Sequence, residues 1–478
     1  MPDNKYTFGM IGLGTMGRNL LLNMVDHDFS GAGYDKDTSK IDLLAQEGQG
    51  KPVKGFAELA EFISSLQKPR AVMMLVPAGK IVDSVIEDLL PLMEEGDIII
   101  DGGNSHFTDT NRRVDYLQTK KLHFFGMGIS GGEEGARNGP SMMPGGDKEA
   151  YSHVKDIFDA ISAKVDGQPC VTYIGPGASG HFVKMVHNGI EYGLMQLIAE
   201  TYGIMQKGLK MDDASIQKTF AKWNDGRLKS YLLDITKDIF AFKEDGKDML
   251  LVNDIKDEAR AKGTGKWTSQ VAMDLELPVP TIDTAVSMRD LSKYKALRVK
   301  LSELYDEQLP LMSENSEDFL ESLEQAFYFN MIITYTQGMH LLYKASKDYQ
   351  YELNLAAIAS IWRGGCIIRS EFLNVITKAY DQNPGMELLL LDETVQGLVK
   401  ETESAIRKVV AAAIQSGVAI PAYGSCLNYF ETFRTKNMPS NLIQAQRDYF
   451  GAHTYELIGK EGVFHTEWQA IPSHKTNN

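Results

Sequence analysis

A glycine loop near the start of the chain constrains its fold more than any other feature. An apolar run over residues 6–11 reads as a strand and leads directly into Gly12-Leu13-Gly14-Thr15-Met16-Gly17, followed by a helical pattern over 18–26. Glycines at this spacing between a strand and a helix fit a phosphate-cradling turn. The first permits the tight bend, the second lets backbone approach a pyrophosphate, and the third allows helix to pack on strand. The helix start adds unpaired N–H groups and the positive end of its dipole.

Further apolar runs at 71–76, 97–101, 122–127 and 171–174 alternate with helical stretches such as 79–93. This alternation predicts a Rossmann-type α/β domain over residues 1–179, built on a parallel sheet. Beyond Gly175-Pro176-Gly177-Ala178-Ser179-Gly180 the apolar spacing changes to three or four residues over 181–207, 317–347 and 353–380. That pattern predicts a large all-α domain over 180–436. Residues 437–478 read as an extended C-terminal tail with little core of its own.

The formal charge of -15 argues against non-specific nucleic-acid binding, which needs basic faces. Three cysteines in no paired spacing, Cys170, Cys366 and Cys426, argue against a disulfide framework or a cysteine-bound metal. No apolar stretch approaches the ~20 residues of a membrane span, and no leader pattern follows Met1. The expectation is a cytoplasmic protein without bound metal.

At the end of the second strand, Ala32-Gly33-Tyr34 runs into Asp35 and Lys36. An acid there normally accepts the adenosine ribose hydroxyls and repels a 2′-phosphate, so NAD is favoured over NADP. A plain turn-capping role is the alternative for Asp35. Downstream, Lys184, His187, Asn188, Glu191 and Tyr192 fall on one stripe of a helix, with Val183, Val186, Ile190, Leu194 and Leu197 on the other side. A Lys–Glu pair at helical spacing is ordinarily a surface ion pair worth tenths of a kcal/mol. Here it follows immediately on the nucleotide domain, where a ligand cleft is expected. Ser130-Gly131-Gly132 and Asp101-Gly102-Gly103-Asn104-Ser105 close two further strands, at the ends where such sheets bind ligands.

With Lys184-Met185-Val186-His187-Asn188-Gly189-Ile190-Glu191-Tyr192, Lys262-Gly263-Thr264-Gly265-Lys266-Trp267 and the run from Gln446 to Glu456, the chain resembles the decarboxylating 6-phosphogluconate dehydrogenase family, within the β-hydroxyacid dehydrogenases, over nearly its whole length. The resemblance implies Lys184 as general base and Glu191 as general acid. It implies substrate contacts at Asn104, Ser130, Gly131, Gly132, His187, Asn188, Tyr192, Lys262 and Arg289. Arg447 and His453 would come from the tail of the partner in a homodimer. The cofactor, NAD or NADP, would rest on the glycine loop, Asp35, Lys36, Val76, Pro77, Ala78 and Asn104. Two departures weaken NADP: family members that use it carry Asn-Arg-Thr where this chain has Asp35-Lys36-Asp37, and Pro77 replaces a customary lysine. Competing readings are a related dehydrogenase acting on an unphosphorylated acid, or a non-catalytic dinucleotide-binding relative.

Overall fold

The computed structural model describes residues 5–305, 310, 312 and 316–468. Seven strands form one sheet: β1 Phe8–Ile11, β2 Gly31–Tyr34, β3 Val53–Phe56, β4 Ala71–Met74, β5 Ile98–Asp101, β6 His123–Ser130 and β7 Ser141–Gly146. Their spatial order is β3-β2-β1-β4-β5-β6-β7. Every pairing from β3 to β6 is parallel, and β7 runs antiparallel to β6. The order in which successive strands are added therefore reverses between β1 and β4, which leaves a crevice beyond the C-terminal ends of those strands. Strands β1, β2, β4 and β5 are buried throughout. Apolar cores pack on both faces, one around Phe8, Met10 and Ile100 and the other around Val72, Met74 and Ile99.

Two elements depart from the sequence reading. Residues 171–174 do not form a strand. They touch β7 through a single bridge from Met142 to Val171 and through the Ile174 N–H donating to the Pro144 carbonyl. Pro144 has no N–H to return, so the ladder stops. β7 itself, Ser-Met-Met-Pro-Gly-Gly, reads as a breaker sequence, yet an edge strand tolerates its proline. The segment 353–380 is two helices, Leu355–Ile361 and Phe372–Gln382, separated where Gly365 adopts φ +60°.

From Ser179 to Phe433 the described chain is helical between its connections, as predicted. Its longest elements are Ser179–Gly203, Ser316–Asp348 and Glu393–Gln415. Glu200 is only 5% exposed, yet it is satisfied: its carboxylate accepts from the Ala422 and Tyr423 N–H groups at the start of the helix Pro421–Phe433. It thus serves those free donors from a distant segment. Glu200→Ala is expected to cost about 1–3 kcal/mol, read as a lowered urea midpoint at unchanged slope.

By contacts the chain divides at Leu427. The second unit has little apolar core. Its helix Ser440–Gly451 and hairpin Tyr455–Leu457/Lys460–Phe464 gather on the fully buried Asp448. That carboxylate accepts from the backbone N–H groups of Thr454 and Thr466 and from the Trp468 indole, with His465 2.9 Å away. Though buried, it is held down to about 2 by these partners.

Candidate active site

The glycine loop turns immediately after β1. Gly12 sits at φ +91°, and a side-chain carbon at Gly17 would collide with the Gly12 carbonyl. A side-chain carbon at Gly14 would meet no protein atom within 4 Å. The helix Thr15–Asp26 starts at Gly14 with no side-chain cap, leaving its first N–H groups free. Gly12 and Gly14 line a cleft of about 590 Å3 with Asp35, Lys36, Val76 and Pro77. Thr15, Ala78 and Asn104 are exposed, whereas the Leu13 side chain is fully buried and Met16 packs on the core, so these last two offer backbone rather than side-chain contacts. The fit to a dinucleotide rests on uncapped amides beside an unobstructed Gly14.

Asp35 supports the turn and also faces the glycine-loop cleft. Its Oδ2 accepts from the Leu13 N–H at 2.8 Å and its Oδ1 from the Asp37 N–H at 2.9 Å, while it still lines the cleft. Lys40 stands 3.6 Å from it, and Lys36 instead pairs with Asp88 at 3.6 Å. Each carboxylate oxygen retains a lone pair for a ribose hydroxyl.

The predicted stripe lies on the helix Ser179–Gly203, and all of it except Glu191 is buried. Close packing on the sheet makes this possible: a side chain at Gly128 of β6 would strike the Lys184 stem. On another side Thr268 donates to the Met185 carbonyl and packs against Gly189. The predicted apolar side, Val183, Val186, Ile190, Leu194 and Leu197, is buried too. Lys184, His187, Asn188 and Tyr192 are buried, and the Glu191 side chain is 21% exposed. His187 Nδ1 lies 3.3 Å from Lys184 Nζ, 3.1 Å from Asn188 Oδ1 and 3.9 Å from Glu191 Oε2.

Burial shapes the ionisation of this cluster. Desolvation lowers Lys184 below the ordinary lysine range, against the opposing pull of Glu191. It raises Glu191, against the attraction of Lys184 and Arg289. It also holds His187 well below the usual histidine value, so the imidazole is neutral. A base with an accessible neutral form and an acid with an accessible protonated form thus share one helix face.

Other elements complete the pocket. Ser130, at the end of β6, places its Oγ 3.1 Å from His187 Nε2 and accepts from the Ile367 N–H. Gly131 and Gly132, both at positive φ, lead from it into the helix Gly132–Asn138. The Asn104 loop is tied to the buried Asp101 carboxylate, which accepts from Gly103 N–H and Ser105 Oγ and meets the buried Arg113. The Arg289 guanidinium stacks 3.4 Å over the Tyr192 ring. Lys262 is exposed just before the helix Thr264–Asp274. Arg447 and His453 belong to the second unit, where both are exposed; Arg447 donates to Gln444, and the His453 ring meets Phe450 edge-on.

Two groups of residues escaped the sequence reading. Cys366 Sγ lies 2.8 Å from His187 Nε2, having arrived on the loop that divides segment 353–380. Arg113 and His181 join Asp101, already read at its strand end, as the buried support of the Asn104 loop, with His181 Nε2 3.0 Å from the Asp101 carbonyl. Among the described residues no cluster of metal-ligating side chains is present, and no helix is long and apolar enough to cross a membrane.

Sheet order, uncapped glycine loop and the buried helix carrying Lys184 and Glu191 together define the fold of a dehydrogenase with a Rossmann-type sheet followed by helices. Residues 7–175 match the family model for the NAD binding domain of 6-phosphogluconate dehydrogenase, and residues 180–468 match that for its C-terminal domain. The chain belongs to the 6-phosphogluconate dehydrogenase family. It is 48% identical over 466 residues to the NADP(+)-dependent, decarboxylating 6-phosphogluconate dehydrogenase of Bacillus subtilis, covering 97% of this chain and 99% of that one. It is 49% identical over 461 residues to the decarboxylating enzyme of Staphylococcus aureus, covering 96% and 98% respectively. The solved structure of Plasmodium falciparum 6-phosphogluconate dehydrogenase matches with a TM-score of 0.94 at 45% identity, covering 97% of this chain and 100% of that chain.

Proposed function

We propose that the chain oxidises and decarboxylates 6-phospho-D-gluconate to D-ribulose 5-phosphate and CO2, with NAD preferred over NADP. The observation that carries this reading is the buried Lys184 amine, set with His187, Asn188 and Glu191 beside the Ser130 strand end. It agrees with the activity named for the relatives, one of which is described with NADP+ as cofactor and 6-phosphogluconate as substrate.

The bound nicotinamide supplies a hydride acceptor. Neutral Lys184 takes the proton of the substrate C3 hydroxyl as the hydride leaves C3. The β-keto acid so formed loses CO2 while the Lys184 ammonium donates to the developing enolate oxygen, so the reading requires no metal. Glu191 then protonates C1 of the enediol. Asn104, Ser130, Gly131, Gly132, His187 and Asn188 hold the sugar acid, and its phosphate goes to Arg289, Lys262 and Tyr192. Arg447 and His453 from a second copy's tail add to the phosphate site. Self-association is supported by exposed apolar side chains on the helix Lys295–Leu304, where Leu297 and Leu304 are 57% and 64% exposed. The compartment that fits this chemistry is the cytoplasm.

NAD preference rests on the Asp35 carboxylate in the cleft, whose charge opposes a 2′-phosphate. Absorbance of the reduced dinucleotide, followed with 6-phosphogluconate and each dinucleotide in turn, tests both parts. The wild-type chain is expected to favour NAD in kcat/KM. Asp35→Asn is expected to move the NADP/NAD ratio upward by about tenfold; an unmoved ratio refutes the preference, and no turnover with either dinucleotide refutes the activity.

A further inference from the structure

We propose that Cys366 is a positioning residue for this reaction: its S–H donates to Nε2 of His187, fixes the imidazole proton on Nδ1, and so denies the Lys184 amine an acceptor. The inference rests on Lys184 being the base, as proposed above.

A neutral imidazole carries one proton and offers one lone pair. Around Nδ1 stand two acceptors, Asn188 Oδ1 at 3.1 Å and Glu191 Oε2 at 3.9 Å, and the Lys184 amine at 3.3 Å. Around Nε2 stand two groups able to donate, Cys366 Sγ at 2.8 Å and Ser130 Oγ at 3.1 Å. A proton on Nδ1 satisfies both sides: the acceptors receive it, and Nε2 is filled by a thiol or a hydroxyl. A proton on Nε2 would turn the Nδ1 lone pair towards the Asn188 oxygen, leaving a Lys184 N–H as its one nearby donor. That second tautomer favours the ammonium; the first favours the free amine.

The thiol has the stronger claim on Nε2. Ser130 already accepts from the Ile367 N–H and, with substrate bound, would turn its proton to the sugar acid. Cys366 is fully buried, and burial pushes its thiol up to about 12, so the S–H persists through the working range. Its loop is pinned: the Cys366 carbonyl accepts from Arg369, and the neighbouring Gly365 carbonyl accepts from the Ser141 N–H of β7. The Trp362 ring, 5.7 Å from the imidazole, closes the other side. The charged or titratable groups facing Lys184 are Glu191 and His187 on its own helix and Cys366 from this loop, with Arg289 of the helix Pro280–Ser292 beyond Glu191.

The sign follows. Without the thiol, the Nε2–H tautomer can donate to Ser130, Nδ1 accepts from the Lys184 ammonium, and the cation gains stability. The acid limb of kcat/KM then moves to higher pH. For Cys366→Ala the expected shift is about one unit, hence about tenfold lower kcat/KM on that limb and near-parental values at higher pH. Cys366→Ser, which restores a donor, is expected to return the limb to its original position. An unshifted limb in Cys366→Ala, or an equal shift in Cys366→Ser, overturns the proposal. Spectra of the full-length protein labelled with 15N-histidine provide a readout independent of turnover: His187 Nε2 is expected as the unprotonated nitrogen in the parent, and a protonated Nε2 there overturns the proposal. A parent inert towards 6-phosphogluconate would instead fail the reading of the site, and the nitrogen spectrum would still decide the tautomer.

Discussion

Lys184→Met is expected to lower kcat at least about 10^4-fold, because in the proposed mechanism one side chain supplies both the base for the C3 hydroxyl and the donor to the enolate oxygen. Binding of the dinucleotide should stay within about twofold, since Lys184 is not among the residues lining the glycine-loop cleft. The variant should also fold. Lys184 is 7% exposed, and methionine fills a similar volume without a charge to desolvate. Single-turnover formation of reduced dinucleotide checks the rate, and fluorescence titration checks binding; near-parental turnover would end the assignment. The parent should show a bell-shaped pH profile. Rate rises as pH climbs through the depressed Lys184 value, where the base becomes neutral, and falls beyond the raised Glu191 value, where the acid loses its proton.

Glu191→Gln is expected to lower kcat about 10^2- to 10^3-fold, with the loss concentrated after oxidation. The amide cannot protonate C1, so the isotope effect from C3-deuterated substrate should shrink as a later step becomes limiting. An undiminished isotope effect beside the full loss of rate would exclude Glu191 as the acid. The acid limb should stay in place, because on that limb Glu191 is already protonated and uncharged, whereas the alkaline fall should be lost. Cys366→Ala is expected to move the acid limb, so the two variants separate loss of the acid from loss of the thiol hydrogen bond.

What the sequence revealed is what local spacing encodes. The glycine loop and its strand are contiguous, and Lys184, Asn188 and Glu191 share a helix face through the helical repeat alone, so all were readable. The burial of Lys184 and Asn188 on that face was not, because it depends on packing against separate elements such as the strand carrying Gly128. Cys366 reaches His187 across 179 residues with no motif to announce it. The loop carrying it was hidden by apolar spacing that runs through 353–380 and disguises the break at Gly365. The reading of 171–174 as a strand failed on the missing N–H of Pro144, a residue of the neighbouring strand. Asp35 was legible as a cleft acid or as a cap; that one carboxylate does both needed coordinates.

That dual duty restricts how the coenzyme preference of such a chain can drift over generations. Surrendering the acid outright, to alanine or to an arginine that would welcome a phosphate, also strips the Leu13 N–H of its acceptor and loosens the turn of the proposed coenzyme site. Asparagine gives up the charge and keeps an oxygen for that N–H. The passable route therefore runs through an amide first, with any new cation arriving at the neighbouring position afterwards.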